Sequence, residues 1–121
     1  MGRILQARPA DGVLGEEGGE RTGTSGVRWV IDPLDGTTNY VYGYPAYGVS
    51  IAAEADGCTV AGVVVDVVSR KRYTAAADHG ARCDDRPLRV SSATELPTAL
   101  LGTGFSYDPP TRRRQAEVLA T

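Results

Sequence analysis

The chain has 121 residues, enough for one compact domain, and 41% of them are hydrophobic, which supports a core of modest size. Its formal net charge of −2 excludes a general electrostatic attraction to nucleic acid or to an anionic membrane surface. The 15 glycines and 7 prolines are more than a helical protein carries, and they favour short strands joined by tight turns.

The first residues lack the apolar core of a secretory signal, and Asp66 interrupts the longest apolar run before it reaches the length of a membrane span. We therefore expect a cytoplasmic protein without membrane contact. Cys58 and Cys83 are expected to be reduced, half-buried strand residues rather than a disulfide. Residues 3–8 have the pattern of a helix end stopped by Pro9, so we expect the chain to begin inside a larger fold.

An acidic pair follows the first predicted strand. Residues 12–15 combine glycine with two apolar residues and predict a short strand that ends just before Glu16 and Glu17. Residues 18–26 are rich in Gly, Ser and Thr and predict a mobile loop. This loop is either a lid over a site or a segment that is simply exposed to solvent.

A second acidic pair stands in residues 29–39, the most informative stretch of the chain. Trp29, Val30 and Ile31 favour a strand, and Pro33 restricts the preceding residue to extended backbone, so the strand is predicted to end at Asp32. Asp35 follows three positions later. Taken alone, this Asp-Pro-x-Asp-Gly pattern also fits an ordinary surface turn.

The residues after Asp35 favour a binding site over a plain turn. Gly36 permits a close approach of the backbone to a ligand, and Thr37 and Thr38 are types that cap a helix start and leave N–H groups directed outward. Carboxylates beside amide donors suit a metal ion that bridges to a phosphate. Glu16 supplies oxygen ligands from a second segment, as a cation site requires.

The middle of the chain predicts an antiparallel meander. A short helical turn is predicted over residues 38–42, and strands are predicted over residues 47–54, 58–68, 72–76 and 88–91, with tight turns between them. The four tyrosines at positions 40, 42, 44 and 47 are expected to pack between the turn and the sheet. The alternative is a wall for the organic part of a substrate. His79, the only histidine, is expected to be a hairpin turn residue.

The C-terminal part predicts one more strand and a helix. Residues 100–105 favour a strand, and Asp108 followed by Pro109 predicts the N-cap and first position of a helix over residues 111–120. Three consecutive arginines, 112 to 114, occupy its first turn, where the helix dipole disfavours cations. We expect a solvated charged face there; the alternative is an acidic neighbour or a bound anion.

Three segments together resemble the inositol monophosphatase family, which comprises magnesium-dependent, lithium-sensitive sugar and nucleotide phosphatases. They are Gly15-Glu16-Glu17, residues 32–40 and Gly43-Tyr44-Pro45, and the similarity extends from about residue 4 to the last residue. The resemblance implies an α+β fold, namely part of a layered helix and sheet structure. It would contain an antiparallel meander, a short helix after the Asp-Pro-Leu-Asp-Gly-Thr motif and a C-terminal helix.

The resemblance also implies the roles of individual residues. Glu16, Asp32 and the backbone carbonyl of Leu34 would hold a first Mg²⁺ or Mn²⁺, and Asp32 and Asp35 a second one. Asp35 and the amide groups of Gly36 and Thr37 would lie at the phosphate. Glu16 and the Thr37 hydroxyl would be the catalytic groups that orient the attacking water. No definite role is implied for Glu17.

Two features of the family are not found in this sequence. A further metal-binding aspartate of a Trp-Asp-x-Ala-like segment is missing, and so are the N-terminal helices with their lysine. We therefore expect residues 1–121 to be one partial domain, a fragment lacking both ends. It would be weakly active or inactive by itself, and a homo-oligomer or prone to aggregate because apolar sheet surface stays uncovered.

The sequence does not specify which phosphate ester is the substrate. The implied partner is a small phosphorylated metabolite, and no nucleic acid or membrane partner is expected. Inositol phosphate, histidinol phosphate, 3′-phosphoadenosine 5′-phosphate and fructose bisphosphate are the candidate esters. The alternative to a phosphomonoesterase is a non-catalytic fragment that binds Mg²⁺ and phosphate or associates with a partner chain.

Overall fold

The computed structural model describes residues 2–16 and 18–120, which form two compact units, one running to Arg89 and the other beginning at Val90. The first unit contains helices α1 (Gly2–Ala7) and α2 (Thr37–Val41) and the strands β1 (Gly12–Gly15), β2 (Gly19–Arg21), β3 (Val27–Asp35), β4 (Gly48–Ala55), β5 (Cys58–Asp66), β6 (Lys71–Ala76), β7 (Gly80–Cys83) and β8 (Arg86–Leu88). The second unit contains a 3₁₀ turn (Leu96–Thr98) and helix α3 (Pro109–Leu119). That the 121 residues form a single domain stays a prediction.

The eight strands of the described residues belong to one sheet in the order β2-β1-β3-β4-β5-β6-β7-β8. The predicted antiparallel meander is found in strands β4 to β8, where β7 is a strand that was not predicted. Strand β3 extends the meander by pairing antiparallel with β4, and β1 lies parallel to β3. The α+β class, the short helix after the motif and the C-terminal helix are confirmed. The parallel pair is the feature that brings the two acidic segments to the same edge of the sheet.

The turns of the meander use residues that tolerate a positive φ. Asp56 and Gly57 join β4 to β5, Arg70 lies between β5 and β6, and Asp78 and Asp84 occupy the next two turns, all with φ between 50° and 80°. Glycine and aspartate adopt this left-handed conformation more readily than other residue types. His79 is an exposed turn residue, as predicted, and its backbone N–H donates to the carbonyl oxygen of Ala76 at 3.1 Å.

Three sequence-based predictions of secondary structure outside the acidic motif are wrong. Residues 18–26 are not all loop, because β2 pairs antiparallel with β1, with Leu14 opposite Glu20. Residues 100–105 form no strand, since an apolar run needs a neighbouring strand for its backbone hydrogen bonds and residues 90–120, the described part of the second unit, contain none. The return strand occupies Arg86–Leu88 rather than residues 88–91, because it pairs directly after the Asp84-Asp85 turn.

The central strands carry apolar residues on both faces. By register, one face groups Ser50, Ala52, Gly62, Val64, Tyr73 and Ala75, and the other groups Trp29, Ile51, Ala53, Ala61, Val63 and Thr74. Among the described residues only Val13 and Ala53 are buried hydrophobic residues, and Val64 is 43% exposed. A sheet with two apolar faces is typical of a layer that is covered on both sides.

The two cysteines are free, as predicted, although Cys58 is exposed and only Cys83 is half-buried. Helix α3 begins as predicted, with the Asp108 carboxylate accepting the backbone N–H of Thr111 at 3.0 Å, and its three arginines are exposed. In the part of the chain that the structure describes, no helix has both the length and the apolar character needed to cross a bilayer.

Candidate functional site

The parallel pairing of β1 and β3 places Glu16 beside Asp32. Gly15 is paired with Ile31, and the backbone N–H of Glu16 donates to the carbonyl oxygen of Ile31 at 3.3 Å. Because the carboxyl ends of parallel strands meet at the same sheet edge, the residues that follow them are neighbours. A shallow depression at this edge is lined by Leu14, Gly15, Glu16, Val30, Ile31 and Asp32. Glu17 lies outside the described residues.

Strand β3 does not end at Asp32 but continues to Asp35 through an irregularity. Asp32 lies opposite Ser50 and Asp35 opposite Gly48, so three steps along β3 match two along β4. One extra residue in one strand is the geometry of a β-bulge, and Pro33, which has no N–H to donate, is tolerated there. The Asp32 carboxylate accepts the backbone N–H of Leu34 at 3.0 Å, which fixes the bulge.

Gly36 makes the turn from β3 into α2. Its φ is +84°, and a Cβ at this position would lie 2.8 Å from the carbonyl oxygen of Ala46. Only glycine fits both the left-handed backbone and this approach. Gly36 is also the N-cap residue, and no side chain caps the helix.

The predicted capping role of Thr37 and Thr38 is therefore wrong. Thr37 is the first residue of α2, and its hydroxyl donates to the carbonyl oxygen of Leu34 at 2.9 Å instead of accepting a helix N–H. This contact ties the carbonyl proposed as a metal ligand to the hydroxyl proposed to orient water. The helix start therefore presents backbone N–H groups beside Asp35.

A second concavity, of about 350 Å³, lies beside Asp35 and Gly36. Its other lining residues come from the α2–β4 connection and from the adjacent ends of β4 and β5: Asn39, Pro45, Ala46, Tyr47, Gly48, Val64 and Asp66. The Asn39 side-chain amide donates to the carbonyl oxygen of Ala46 at 2.8 Å and so holds the connection against the helix. The concavity is large enough for a small phosphate ester.

Asp66 lines the concavity beside Asp35. In the sequence it was noted only because it interrupts an apolar run. Its carboxylate accepts the Ser69 hydroxyl at 2.6 Å and the backbone N–H groups of Val68 and Ser69, both at 3.0 Å. These hydrogen bonds, above all the one from the Ser69 hydroxyl, lower the pKa of Asp66. Asp66 therefore stays ionised while it shapes the β5–β6 turn.

The tyrosines divide into two groups. Tyr40 and Tyr47 form an edge-to-face pair with ring centroids 5.2 Å apart, in line with the predicted packing role. Tyr42 and Tyr44 are 84% and 63% exposed, so they do not pack against the sheet. Of the four, only Tyr47 lines the concavity beside Asp35.

The candidate oxygen ligands are of the type that a hard divalent cation prefers, but they are few. Carboxylates and a backbone carbonyl are the donors that Mg²⁺ and Mn²⁺ prefer, and Glu16, Asp32 and Leu34 supply them at one sheet edge. Within residues 2–16 and 18–120, however, no three His, Cys, Asp or Glu side chains come close enough to form one metal cluster. Asp35, which is exposed, therefore does not join Glu16 and Asp32 in a single group.

Asp11, the most deeply buried charged residue of those the structure describes, was not predicted to have a role. It is 2% exposed, and its carboxylate accepts hydrogen bonds from Arg8, from the Ser25 hydroxyl at 2.7 Å and from the Trp29 indole N–H at 2.8 Å. The hydrogen bonds from Arg8, Ser25 and Trp29 lower its pKa to about 2.

Comparison with known proteins gives a consistent family. Residues 1–121 match the sequence model of the Inositol monophosphatase family. The inositol-1-monophosphatase SuhB of Mycobacterium tuberculosis is 50% identical over 127 residues, a match covering 98% of this chain and 44% of that protein. The Nus factor SuhB of Pseudomonas aeruginosa is 45% identical over 107 residues, covering 86% and 40%.

Solved structures agree with the sequence comparison. Mycobacterium tuberculosis SuhB superimposes with a TM-score of 0.85 at 50% identity, over 98% of this chain and 47% of that one. An inositol monophosphatase from Anabaena gives a TM-score of 0.81 at 41% identity, over 93% and 43%. The chain thus spans less than half the length of these relatives.

Proposed function

The chain belongs to the inositol monophosphatase family, and on that premise we propose that it carries the first metal site of a phosphomonoesterase that hydrolyses a small phosphate ester. The observation that supports this most strongly is the placement of Glu16 beside Asp32 by the parallel β1–β3 pair. The helix start at Gly36 follows directly, with its N–H groups uncapped by side chains. Carboxylates and amide donors thus lie next to each other, as a phosphate held through a cation requires.

The proposed ligands are assigned from the family resemblance and from the donor chemistry. Glu16, Asp32 and the Leu34 carbonyl would hold a first Mg²⁺, for which Mn²⁺ could substitute. Asp32 and Asp35 would contribute to a second one. Such a cation, when bound, supplies positive charge that offsets the charge of the phosphate and lowers the pKa of a coordinated water.

The protein's own groups then do the positioning. The backbone N–H groups of Gly36 and Thr37 hold the phosphate oxygens. The Glu16 carboxylate accepts the proton of the water that attacks phosphorus, and the Thr37 hydroxyl orients that water by a hydrogen bond. The bond between phosphorus and the ester oxygen breaks, the ester oxygen takes a proton from solvent water, and the proton on Glu16 returns to solvent. The products are inorganic phosphate and an alcohol.

We propose inositol phosphate as the first substrate to test, because the 50% identical mycobacterial relatives are named inositol-1-monophosphatases. Histidinol phosphate, 3′-phosphoadenosine 5′-phosphate and fructose bisphosphate are the other candidates. A cytoplasmic location and the absence of nucleic acid or membrane partners also stay predictions. We expect weak activity, because the family's further metal-binding aspartate is not found in this sequence. One electrostatic contribution missing from the transition state costs about 10²- to 10³-fold in rate.

The test is phosphate release from inositol 1-phosphate in the presence of Mg²⁺. We expect slow release by the parent chain, none above background by Asp32→Asn, and parent-level release by Asp78→Asn. Asp78 is a matched control because it undergoes the same chemical change in the β6–β7 turn, where asparagine also tolerates the φ of 62°. If the parent and Asp32→Asn do not differ on any of the four esters, this chain is not a phosphatase.

A second candidate function is a non-catalytic one, in which the chain binds a partner protein. Two observations favour it: the central strands carry apolar residues on both faces, and one relative bears the name Nus factor. Exposed apolar surface of this kind is typical of interaction sites.

Sedimentation velocity at micromolar concentration tests whether these faces are used. We expect a self-associating chain whose association weakens in Val64→Lys, because a charge on the exposed face opposes burial. A stable monodisperse monomer would contradict the prediction.

A further inference from the structure

We propose that Asp11 is a positioning residue that fixes the register of β1 against β3 and thereby holds Glu16 beside Asp32. The inference rests on the proposed function, because the metal site formed by Glu16 and Asp32 is what gives the register a chemical consequence. Asp11 directly precedes β1 and Glu16 directly follows it, so Asp11 is not among the residues proposed to hold the metal or the phosphate.

The Asp11 carboxylate joins three separate segments. Arg8 follows α1, Ser25 ends the loop that returns from β2, and Trp29 lies within β3. A carboxylate has enough lone pairs to accept from all three donors at once. Because Asp11 is only 2% exposed, water cannot replace a lost partner.

The backbone around Asp11 is closely packed as well. The carbonyl oxygen of Ala10 accepts the N–H groups of Thr24 at 2.7 Å and Ser25 at 3.1 Å. At Gly23 a Cβ would lie only 2.1 Å from the backbone nitrogen of Gly12. Residues 23–25 are therefore held directly against residues 10–12, and the end of the β2–β3 loop cannot move without disturbing Asp11.

The hydrogen bonds to the Asp11 carboxylate favour one register of β1 against β3, which the few side chains of β1 specify only weakly. Strand β1 has four residues, two of them glycines, so only Val13 and Leu14 contribute side chains to its placement. A slip of one residue would move Asp11 by about 3.3 Å relative to Trp29 and turn every side chain of β1 to the opposite face. The buried carboxylate would then lose its indole donor, which disfavours the slipped pairing.

In the observed register Val13 lies opposite Trp29 and Gly15 opposite Ile31. The residue after Gly15 is Glu16, and the residue after Ile31 is Asp32. The hydrogen bond between Asp11 and Trp29 at one end of the pair therefore specifies which carboxylates meet at the other end. Asp11 therefore affects metal binding through the β1–β3 register, although it lies at the other end of the strand pair.

Asp11→Asn separates this role from simple packing. Asparagine keeps the volume of the side chain but has one acceptor oxygen, and its NH₂ group faces donors. At least one of Arg8, Ser25 and Trp29 then loses its acceptor. Glu54→Gln is the control, since it weakens the Arg28–Glu54 ion pair of 2.6 Å between β3 and β4 without touching β1.

The experiment measures amide hydrogen exchange and Mn²⁺ binding on the full 121-residue chain by NMR. In metal-free Asp11→Asn we expect the amide of Glu16, which donates to Ile31, to exchange about tenfold faster than in the parent. Amides of β5 and β6 keep their parent rates. Mn²⁺ affinity, from paramagnetic broadening of the Glu16 and Asp32 signals, falls about tenfold, as is usual when a residue that orients metal ligands is changed. Glu54→Gln changes neither quantity.

Parent-like exchange at Glu16 in Asp11→Asn would overturn the proposal, and so would a uniform acceleration over the whole sheet. If Asp11→Asn does not fold, Ser25→Ala removes a single donor and must give a smaller effect at the same amide; no effect there also overturns it. If Mn²⁺ broadens nothing in the parent, the proposed metal site is wrong. The metal-free exchange of Glu16 then still decides whether Asp11 sets the register.

Discussion

The two ends of the β1–β3 pair use carboxylates in opposite ways. At one end Asp11 is buried and satisfied by three donors of the protein itself. At the other end Glu16 is exposed and Asp32 is half-buried at the rim of an open depression. A buried carboxylate must be paired because desolvation of an unpaired charge is costly, whereas a solvated one is accessible to a cation. The closed end therefore serves the fold, and the open end is the one that we propose for binding.

The largest expected effect comes from removing a ligand at the open end. Asp32→Asn should lower Mn²⁺ affinity by at least about 100-fold, because changes to residues that only orient a ligand already cost about 10- to 100-fold. Titration calorimetry on the parent, on Asp32→Asn and on Asp78→Asn measures it. Equal affinities for the parent and Asp32→Asn would remove the proposed site, and a loss in Asp78→Asn would show that any lost carboxylate has the same effect.

A smaller effect is expected from the turn that joins β3 to α2. Gly36→Ala should reduce the free energy of unfolding by about 2 kcal/mol or more, because the alanine would need a φ of +84° and its Cβ would lie 2.8 Å from the Ala46 oxygen.

Gly57→Ala is the matched control for Gly36→Ala in urea unfolding. Gly57 has a φ of +80° but nothing within 4 Å of its Cβ position, so only the backbone term of about 1 kcal/mol applies. Equal losses in the two variants would show that the approach of Gly36 to Ala46 contributes nothing.

The smallest effect concerns the pH dependence of the closed end. The pKa of Asp11 is lowered from 3.8 to about 2 in the folded chain, so the unfolded chain binds more protons between these values. The stability that Asp11 contributes is therefore present above about pH 4 and is lost as the pH falls towards 2.

Thermal unfolding of the parent and of Asp11→Asn across this pH range tests whether the stability contributed by Asp11 falls with the pH. The difference in melting temperature should shrink on acidification, while the lowered pKa values of Asp66 and Asp108 affect both proteins alike. A difference that stays constant from pH 5 to pH 2.5 would contradict a charged role for Asp11.

Local chemistry made the antiparallel meander and the short helix after the acidic motif predictable from the sequence. Aspartate and glycine at the turns, alternating apolar strands and the Asp108-Pro109 helix start each act over a few residues, and the structure confirms them. The errors arose where a distant partner decides the outcome. Strand β2 exists because β1 is there to pair with it, and residues 100–105 form no strand because the described residues of their unit offer no strand to pair with. Thr37 and Thr38 do not cap α2 because Gly36 occupies the N-cap position and Thr37 is already within the helix.

By itself the sequence determined which residues could bind a metal and a phosphate, since carboxylates, a bulge-forming proline and a permissive glycine have the same chemistry wherever they lie. Only the tertiary structure decided which of them meet. The parallel register brings Glu16 to Asp32, the bulge sets Asp35 opposite Gly48, and the buried Asp11 carboxylate joins three segments. The physical reason is that strand register and the pairing of a buried charge depend on groups far apart in the chain, which no local pattern records.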